Sequence, residues 1–355
     1  MTHRTTRPHL RRRSRHPHRT RPLAVAAIAA GLALLASACT AGQPSPEPTP
    51  ERSTKAPVTI QNEPTSMIFE GGLYREKDSL AARAAESLRD KGNDRAAAAA
   101  DEIAQTPVAM WLGDQYSVAK VKKVVSANVK AAEAEGTTPV FVLYAIPNRD
   151  CGDYSAGGWS AEEYPIWTQA IADTLDGHRA AVLIEPDSLA MLSNCPDETD
   201  RRLPLIKKTV EQLKAAKIPA YLDAGNSNWV QPDVIADRLD KAGIEDARGF
   251  FTNVASFYGV DDERAFAEKV SALTGDSHYV IDVSRNGQGW KGTWCNPDGA
   301  GLGQQPHATD GTTGLDALLW VKTPGISDGN CNGGPDAGVW FASYAERLVR
   351  NAAGS

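Results

Sequence analysis

From about Pro64 onward, short apolar runs rich in β-branched residues alternate with longer stretches of helical composition. The runs are TPVAMWLG, TPVFVLYAIP, AAVLIEP, IPAYLDAG, GFFTNVASF, HYVIDVSRN and ALLWVKTPG. Between them lie helix-like segments such as Ala96 to Ala104, Ser126 to Glu135, Trp167 to Leu175, Leu205 to Ala216 and Val234 to Ala242. An unbroken apolar run of that length reads as a buried strand, and strand–helix–strand repetition implies parallel pairing through right-handed crossovers. The expected fold is α/β: a distorted parallel (β/α) barrel of about seven strands, TIM-like. Periodicity does not reveal closure, so a doubly wound open sheet is the alternative.

The first part of the chain follows other rules. Its first 22 residues hold eight arginines and no acid, and Leu23 to Ala38 is an uninterrupted run of apolar and small residues ending at Cys39. A basic flank, an apolar middle too short for a confident membrane span and a small-residue end have the pattern of an export signal. The tetrapeptide ASAC suggests lipoprotein processing, with Cys39 the acylated residue and the membrane the anchor. Residues Thr40 to Asn62, with PSPEPTPE at their heart, cannot bury a core and read as a tether. The expected organisation is therefore export signal 1–39, linker 40–62 and one catalytic domain 63–355.

Composition sharpens the picture in three ways. The chain has 355 residues, enough for one large α/β domain with an ample core. Its formal net charge is −6 even with the arginine-rich arm included, so the processed protein is more acidic still, which argues against nucleic acid as a partner. Setting Cys39 aside leaves Cys151, Cys195, Cys295 and Cys331, an even number suited to an exported protein, with three pairings open. No CxxC occurs. The only histidines outside the leader are His178, His278 and His307, none at a strand end beside other ligand types, so no metal site and no cofactor is expected. No GxxxxGK[ST] loop is present.

Candidate chemistry sits where the strands open into loops. Asp187 stands directly behind Pro186 at the end of the run Ala181 to Ile184. Trp111, Tyr144, Asp150, Asp223, Asn253, Asp282, Arg285, Lys322 and Asp328 occupy equivalent places, and a parallel barrel gathers such positions on one face. Carboxylates together with flat aromatic surfaces suit glycoside hydrolysis, in which one carboxylic acid protonates the leaving oxygen and one carboxylate activates water. The eight tryptophans fit that reading. Ordinary roles compete with it: Asp150 pairing with Arg149, Asp223 as a cap or turn residue, Glu185 as a buried structural carboxylate, Asp328 as a turn residue in SDGNC, and Trp167, Trp320 and Trp340 as core.

In order, LYAIPNRDC, VLIEPDSLA, YLDAGNSNW, TNVASF, GTWCN, VKTPGISDG and AGVWF resemble the motifs of the family 6 glycoside hydrolases, cellulases acting on β-1,4-glucan. The likeness runs from about Trp111 to Phe341. It implies that Asp187 is the general acid, that Asp150 is the neighbouring aspartate that helps keep it protonated, and that Asp328 is the candidate base. It also implies that Tyr144 crowds the scissile sugar, that Ser155 lies in a loop closing over the site, and that Trp111, Asp223, Trp229, Asn253, Trp294 and Lys322 bind or border the glucan. The family's disulfides imply Cys151 with Cys195 and Cys295 with Cys331. Its reaction inverts the anomeric centre, which needs room for water between acid and base, about 6.5–9.5 Å.

Two positions depart from the family pattern. Ile326 stands where an acidic residue is common, and Asn226 where histidine is common, so altered affinity or subsite preference is expected rather than loss of turnover. The short segments between Asp150 and Asp187 and between Cys295 and Cys331 favour an open groove and internal cleavage. The resulting expectation is an exported, monomeric endo-β-1,4-glucanase, extracellular or held at the cell surface. A cellobiohydrolase of the same family and a surface glucan-binding lipoprotein without turnover are the alternatives.

Overall fold

The computed structural model describes residues 62–352. The export signal, Cys39 and all but the last residue of the expected tether lie outside them. The described chain begins with α1 (Thr65–Ile68), α2 (Leu80–Asp90) and α3 (Asp94–Ala104) and then enters the repeating part. There β1 (Met110–Gly113), α4 (Val118–Glu135), β2 (Val140–Tyr144), α5 (Tyr164–Leu175), β3 (Ala181–Ile184), α6 (Thr199–Ala215), β4 (Ala220–Asp223), α7 (Pro232–Lys241), β5 (Gly249–Thr252), α8 (Val260–Leu273) and β6 (His278–Asp282) follow in strict alternation. β7 (His307–Ala308), β8 (Leu315–Leu319) and α9 (Ala342–Arg350) complete it.

The sheet order is β1-β2-β3-β4-β5-β6-β8-β7. Every pairing is parallel except β7 on β8. Seven parallel strands were expected and are found; β7 is an addition, two residues long and therefore too short to produce any sequence period. Helix α4 begins well before the expected Ser126, because the Ser117 side chain accepts from Lys120 N–H and caps a start at Val118.

Strand parity explains the continuous apolar runs. Val140, Val142, Ala181, Leu183, Tyr221, Phe251, Val280, Ala317 and Leu319 share one cluster inside the curled sheet. Their alternates Phe141, Leu143, Val182, Ile184, Leu222, Phe250, Ile281 and Leu318 belong to the cluster that includes the surrounding helices. Both faces are thus dry, as parallel sheets demand. Between β1 and β8 the ladder gives way to a seam: Ala109 N–H donates to Trp320 O at 2.9 Å, and the Trp111 indole N–H donates to Val321 O at 2.8 Å. The expected barrel is therefore present in its distorted form, curled but not laddered all round.

One buried polar cluster lies toward the N-terminal ends of the strands. A register irregularity where β6 meets β8 separates Leu315 and Ala317, the partners of Tyr279 and Val280, by one extra residue, Asp316. The fully buried Asp316 carboxylate accepts from Arg248 Nε at 2.8 Å, Arg248 Nη2 at 2.9 Å, Tyr221 Oη at 2.7 Å and Thr65 Oγ1 at 2.6 Å, with His278 Nδ1 2.9 Å away. Burial alone would raise its pKa, but these donors outweigh burial and hold the carboxyl well below the usual range.

A carboxyl whose pKa is depressed on folding contributes stability above its ordinary value, and that stability is lost as pH falls through the folded one. Urea unfolding followed between about pH 5 and pH 2 is expected to show stability declining on acidification. Asp316→Ala, which leaves Arg248 buried without its carboxylate, is expected to cost about 3–5 kcal/mol at neutral pH and to flatten that acid slope.

Candidate active site

Strand parity carries Trp111, Tyr144, Asp223 and Asp282 to the inner face at the C-terminal ends of their strands, and a set of buried carboxylates holds the loops beyond. Glu185, 0% exposed, accepts Ala145 N–H on both oxygens at 2.9 and 3.0 Å and so fixes the loop after β2. This is the structural role open to it from the sequence. Asp223 accepts Leu189 N–H and Ala190 N–H at 3.0 and 2.9 Å on one oxygen and Gly225 N–H at 3.0 Å on the other, which fixes the loop after β3. Asp282 accepts from Ala255, Ser284, Val321 and Lys322 and ties the loops after β5, β6 and β8 together.

These anchors hold a backbone in unusual shapes. Asn148, Asp150, Cys151, Glu185, Asp187, Asn253 and Ala255 all have positive φ, between 50° and 72°. Such conformations cost about 1–3 kcal/mol each and persist where surrounding structure overdetermines them. The Cys151–Cys195 disulfide joins the Asp150 loop to the loop after β3, and the Cys295–Cys331 disulfide joins the loops after β6 and β8. Arg202 of α6, 1% exposed, donates to Asn148 O at 2.7 Å and Ser188 O at 3.1 Å, a second tie between the segments carrying Asp150 and Asp187.

Three carboxyls of one residue type then find three environments. Asp187 retains partial solvent access at the rim. Burial, reinforced by the negative charges of Asp223 and Asp150, pushes its pKa up to about 8 against the opposing pull of Lys322. Asp150 is also raised by burial, although Ser155 N–H donates to its Oδ2 at 2.7 Å. Asp328 goes the other way. Arg285 Nη1 donates to both its oxygens at 3.0 and 2.8 Å, Lys322 Nζ lies 3.1 Å away, and Asn296 N–H donates at 3.0 Å. Burial would raise Asp328, but Arg285 and Lys322 outweigh it and keep the carboxyl ionised below the usual range.

Aromatic groups flank these carboxyls. The Tyr144 ring meets Trp111 edge-on at 5.0 Å and lies under the Arg149 guanidinium at 4.6 Å. Burial and the charges of Asp187 and Asp150 raise the Tyr144 hydroxyl pKa, and the Ser155 side chain is close enough to oppose them. Trp294 is 48% exposed and meets Tyr154 edge-on at 5.7 Å. Trp229 is half-buried, its indole N–H reaching Asn194 Oδ1 at 3.4 Å.

The expected site residues thus divide. Asp187, Asp150, Asp328, Tyr144, Ser155 and Lys322 converge, with Trp111 and Trp294 on the same rim. Asp223 and Asn253 instead spend their side chains on backbone groups. Asp223 is 2% exposed with both oxygens on backbone N–H groups, and Asn253 is 0% exposed, donating to Tyr258 O and Asp282 O and accepting Tyr258 N–H. Both border the groove only through the loops they hold, because strand-end backbone in these conformations has no ladder partner and needs a side-chain acceptor or donor. Arg202 and Asn296 were not legible as site residues. A single arginine inside a helical stretch carries no signal of burial, and Asn296 acts through the fold of the late loop. Among the described residues no group of three or more His, Cys, Asp or Glu could hold a metal ion.

A parallel barrel with clustered carboxyls and exposed indoles at the C-terminal strand ends defines an α/β-barrel protein of the carbohydrate-active kind. The chain belongs to the glycosyl hydrolases family 6, whose family model matches residues 71–352. It is 40% identical over 281 residues to Endoglucanase A of Cellulomonas fimi, covering 79% of this chain and 61% of that protein. It is 36% identical over 306 residues to Endoglucanase 1 of Streptomyces halstedii, covering 83% and 92%. Among solved structures, the endoglucanase Cel6 from Mycobacterium tuberculosis in complex with methyl-cellobiosyl-4-deoxy-4-thio-β-D-cellobioside aligns with a TM-score of 0.73 at 40% identity, covering 79% of this chain and 96% of that one.

Carbon-13 NMR of aspartate-labelled protein is expected to show the Asp187 carboxyl titrating near pH 8. In Asp150→Asn the midpoint is expected to move down, because one neighbouring negative charge is gone; an unchanged midpoint would show that the Asp150 charge plays no part in raising it.

Proposed function

We propose that this chain is an exported endo-β-1,4-glucanase that cleaves internal bonds of cellulose or soluble β-glucan with inversion. The observation that carries the reading is the contrast between a carboxyl held protonated at Asp187 and a carboxylate held ionised at Asp328 on one rim. Similarity to proteins named endoglucanases, one of them solved with a thio-linked cello-oligosaccharide, supports the substrate class.

In this reading the Asp187 O–H donates its proton to the glycosidic oxygen as the bond to the anomeric carbon breaks. Positive charge develops at that carbon, and the Asp328 carboxylate stabilises it while drawing a proton from the water that attacks the opposite face. Arg285 and Lys322 make Asp328 a weak base, so it orients and polarises the water more than it removes the proton early. The departing sugar leaves with the Asp187 proton, and Asp150, itself raised by burial, is placed to return one from solvent. Tyr144 limits the room above the reacting sugar, and Trp294 and Trp229 offer stacking faces on either side. Arg149 and the Asp150–Ser155 hydrogen bond hold the loop that closes on this arrangement.

The cellobiohydrolase alternative has one observation in its favour. An added Cβ at Gly329 would fall 2.5 Å from the Tyr154 ring, so that ring packs directly on the glycine while touching Trp294. The loops after β2, β6 and β8 therefore meet, giving a partial roof where the short loop lengths favoured an open groove. Export through the 1–39 signal, anchoring through acylated Cys39 and a tether over 40–62 complete the proposal and rest on the sequence pattern.

Incubation with carboxymethylcellulose is expected to release reducing ends, and Asp187→Asn to lower kcat by about 10²- to 10⁴-fold. Binding without release by the unaltered chain would establish the glucan-binding alternative. Because Asp187 must carry its proton, kcat/KM is expected to fall as pH rises through about 8. Proton NMR should show α-anomer formed first, and viscosity should drop steeply relative to sugar released; a slow drop would favour chain-end attack. In cells, Cys39→Ala is expected to move the protein from the membrane fraction to the medium.

A further inference from the structure

Among the described residues, the aromatic side chains left substantially exposed are Tyr154 at 45%, Trp290 at 41% and Trp294 at 48%. All three lie in loops beyond the C-terminal ends of strands, and two share the loop after β6. Tyr154 and Trp294 touch each other over the catalytic groove and are accounted for there. Trp290 is not. Its ring stacks on Tyr258 with centroids 5.1 Å apart and planes within 9°, so one face is covered and the rest of the indole is open to solvent.

The platform is rigid. Asn253, fully buried, donates to Tyr258 O at 3.1 Å and accepts Tyr258 N–H at 3.2 Å, and Asn286 Nδ2 also donates to Tyr258 O at 3.1 Å. On the indole side, Gly289 N–H donates to Asn286 O at 3.0 Å and Gly287 N–H to Gly301 O at 3.2 Å. An indole held flat and partly wet at such expense of buried hydrogen bonding is better explained by a ligand than by packing. Trp290 and Trp294 are four positions apart, a reach of at most about 14 Å. Trp290 is thus within a few sugar units of Trp294 on the groove rim, and nothing in its own hydrogen bonding asks for a charged or base-pairing ligand.

We propose that Trp290, stacked on Tyr258, is an outer subsite that takes the flat face of a glucosyl unit of a β-glucan chain extending beyond the units held at the carboxyls. The inference rests on the glucanase reading and adds to it a preference for long chains. The Asn253 anchor then acquires a second purpose: it positions Tyr258 and, through Tyr258, the indole.

The test uses the full chain carrying Asp187→Asn, so that binding is measured without turnover, and titrates cello-oligosaccharides from three to six units and hydroxyethylcellulose. Adding Trp290→Ala is expected to weaken binding of the longest ligands by about ten-fold, the effect of one good stack, with the loss growing with chain length. Trp290→Phe keeps a ring on Tyr258 and is expected to lose less, which also guards against a variant that merely unsettles the loop. A loss equal at every chain length, or no loss, overturns the outer subsite while leaving the glucanase reading intact. Failure of the Asp187→Asn chain with Trp290 in place to bind any of these ligands overturns both.

Discussion

Unladdered backbone at the strand ends is the constraint on which the site depends. Where the parallel strands stop, N–H groups turn inward and lose their sheet partners, and a buried donor without an acceptor is costly. Glu185, Asp223 and Asp282 meet that need with carboxylate oxygens. Each sits at the end of its own strand and accepts from the loop of a neighbouring strand, so the loops are held to one another as well as to the sheet. The positive-φ residues Asp150 and Asp187 are tolerated only inside such a frame.

The frame also creates the electrostatics. Asp223 is spent on backbone N–H groups and still presents negative charge to Asp187, one of the reasons that carboxyl is hard to ionise. Asp282 accepts Lys322 N–H and thereby sets the backbone from which the Lys322 ammonium reaches Asp328. Structural and chemical carboxylates are therefore one connected system. Residues of identical type differ in pKa because one faces like charge and burial while another faces two cations.

The two ends of the barrel divide the labour. Toward the N-terminal ends, Asp316 and Arg248 are sealed from solvent with every carboxylate oxygen satisfied, which serves stability. At the other end polar groups are left in strained, partly solvated loops bridged by disulfides and by Arg202. Parallel barrels separate function from folding in this way, since loops at one end can vary while the strands and the opposite end hold the fold.

Much of this was legible in the chain. The apolar runs announced seven parallel strands because both faces of each strand are dry, and the residue that follows each run had to emerge at the rim, which located Asp187, Asp150, Tyr144, Lys322 and Asp328. The two-residue β7 was invisible because two residues have no period. What the sequence could not supply was the direction in which each polar rim residue spends its hydrogen bonds. Asp223 and Asn253 look like Asp187 and Tyr144 in a list of strand ends, yet the first two turn onto backbone and the second two keep partial access to solvent at the rim. Arg202 is an ordinary arginine until the fold buries it against Asn148 O, and Arg285, placed at a strand end by its position, gains its partner Asp328 only in the folded chain. Pattern along the chain decides which residues reach the rim, because parity is local; burial and partnership decide what they do there, because those depend on segments that only the folded barrel brings together.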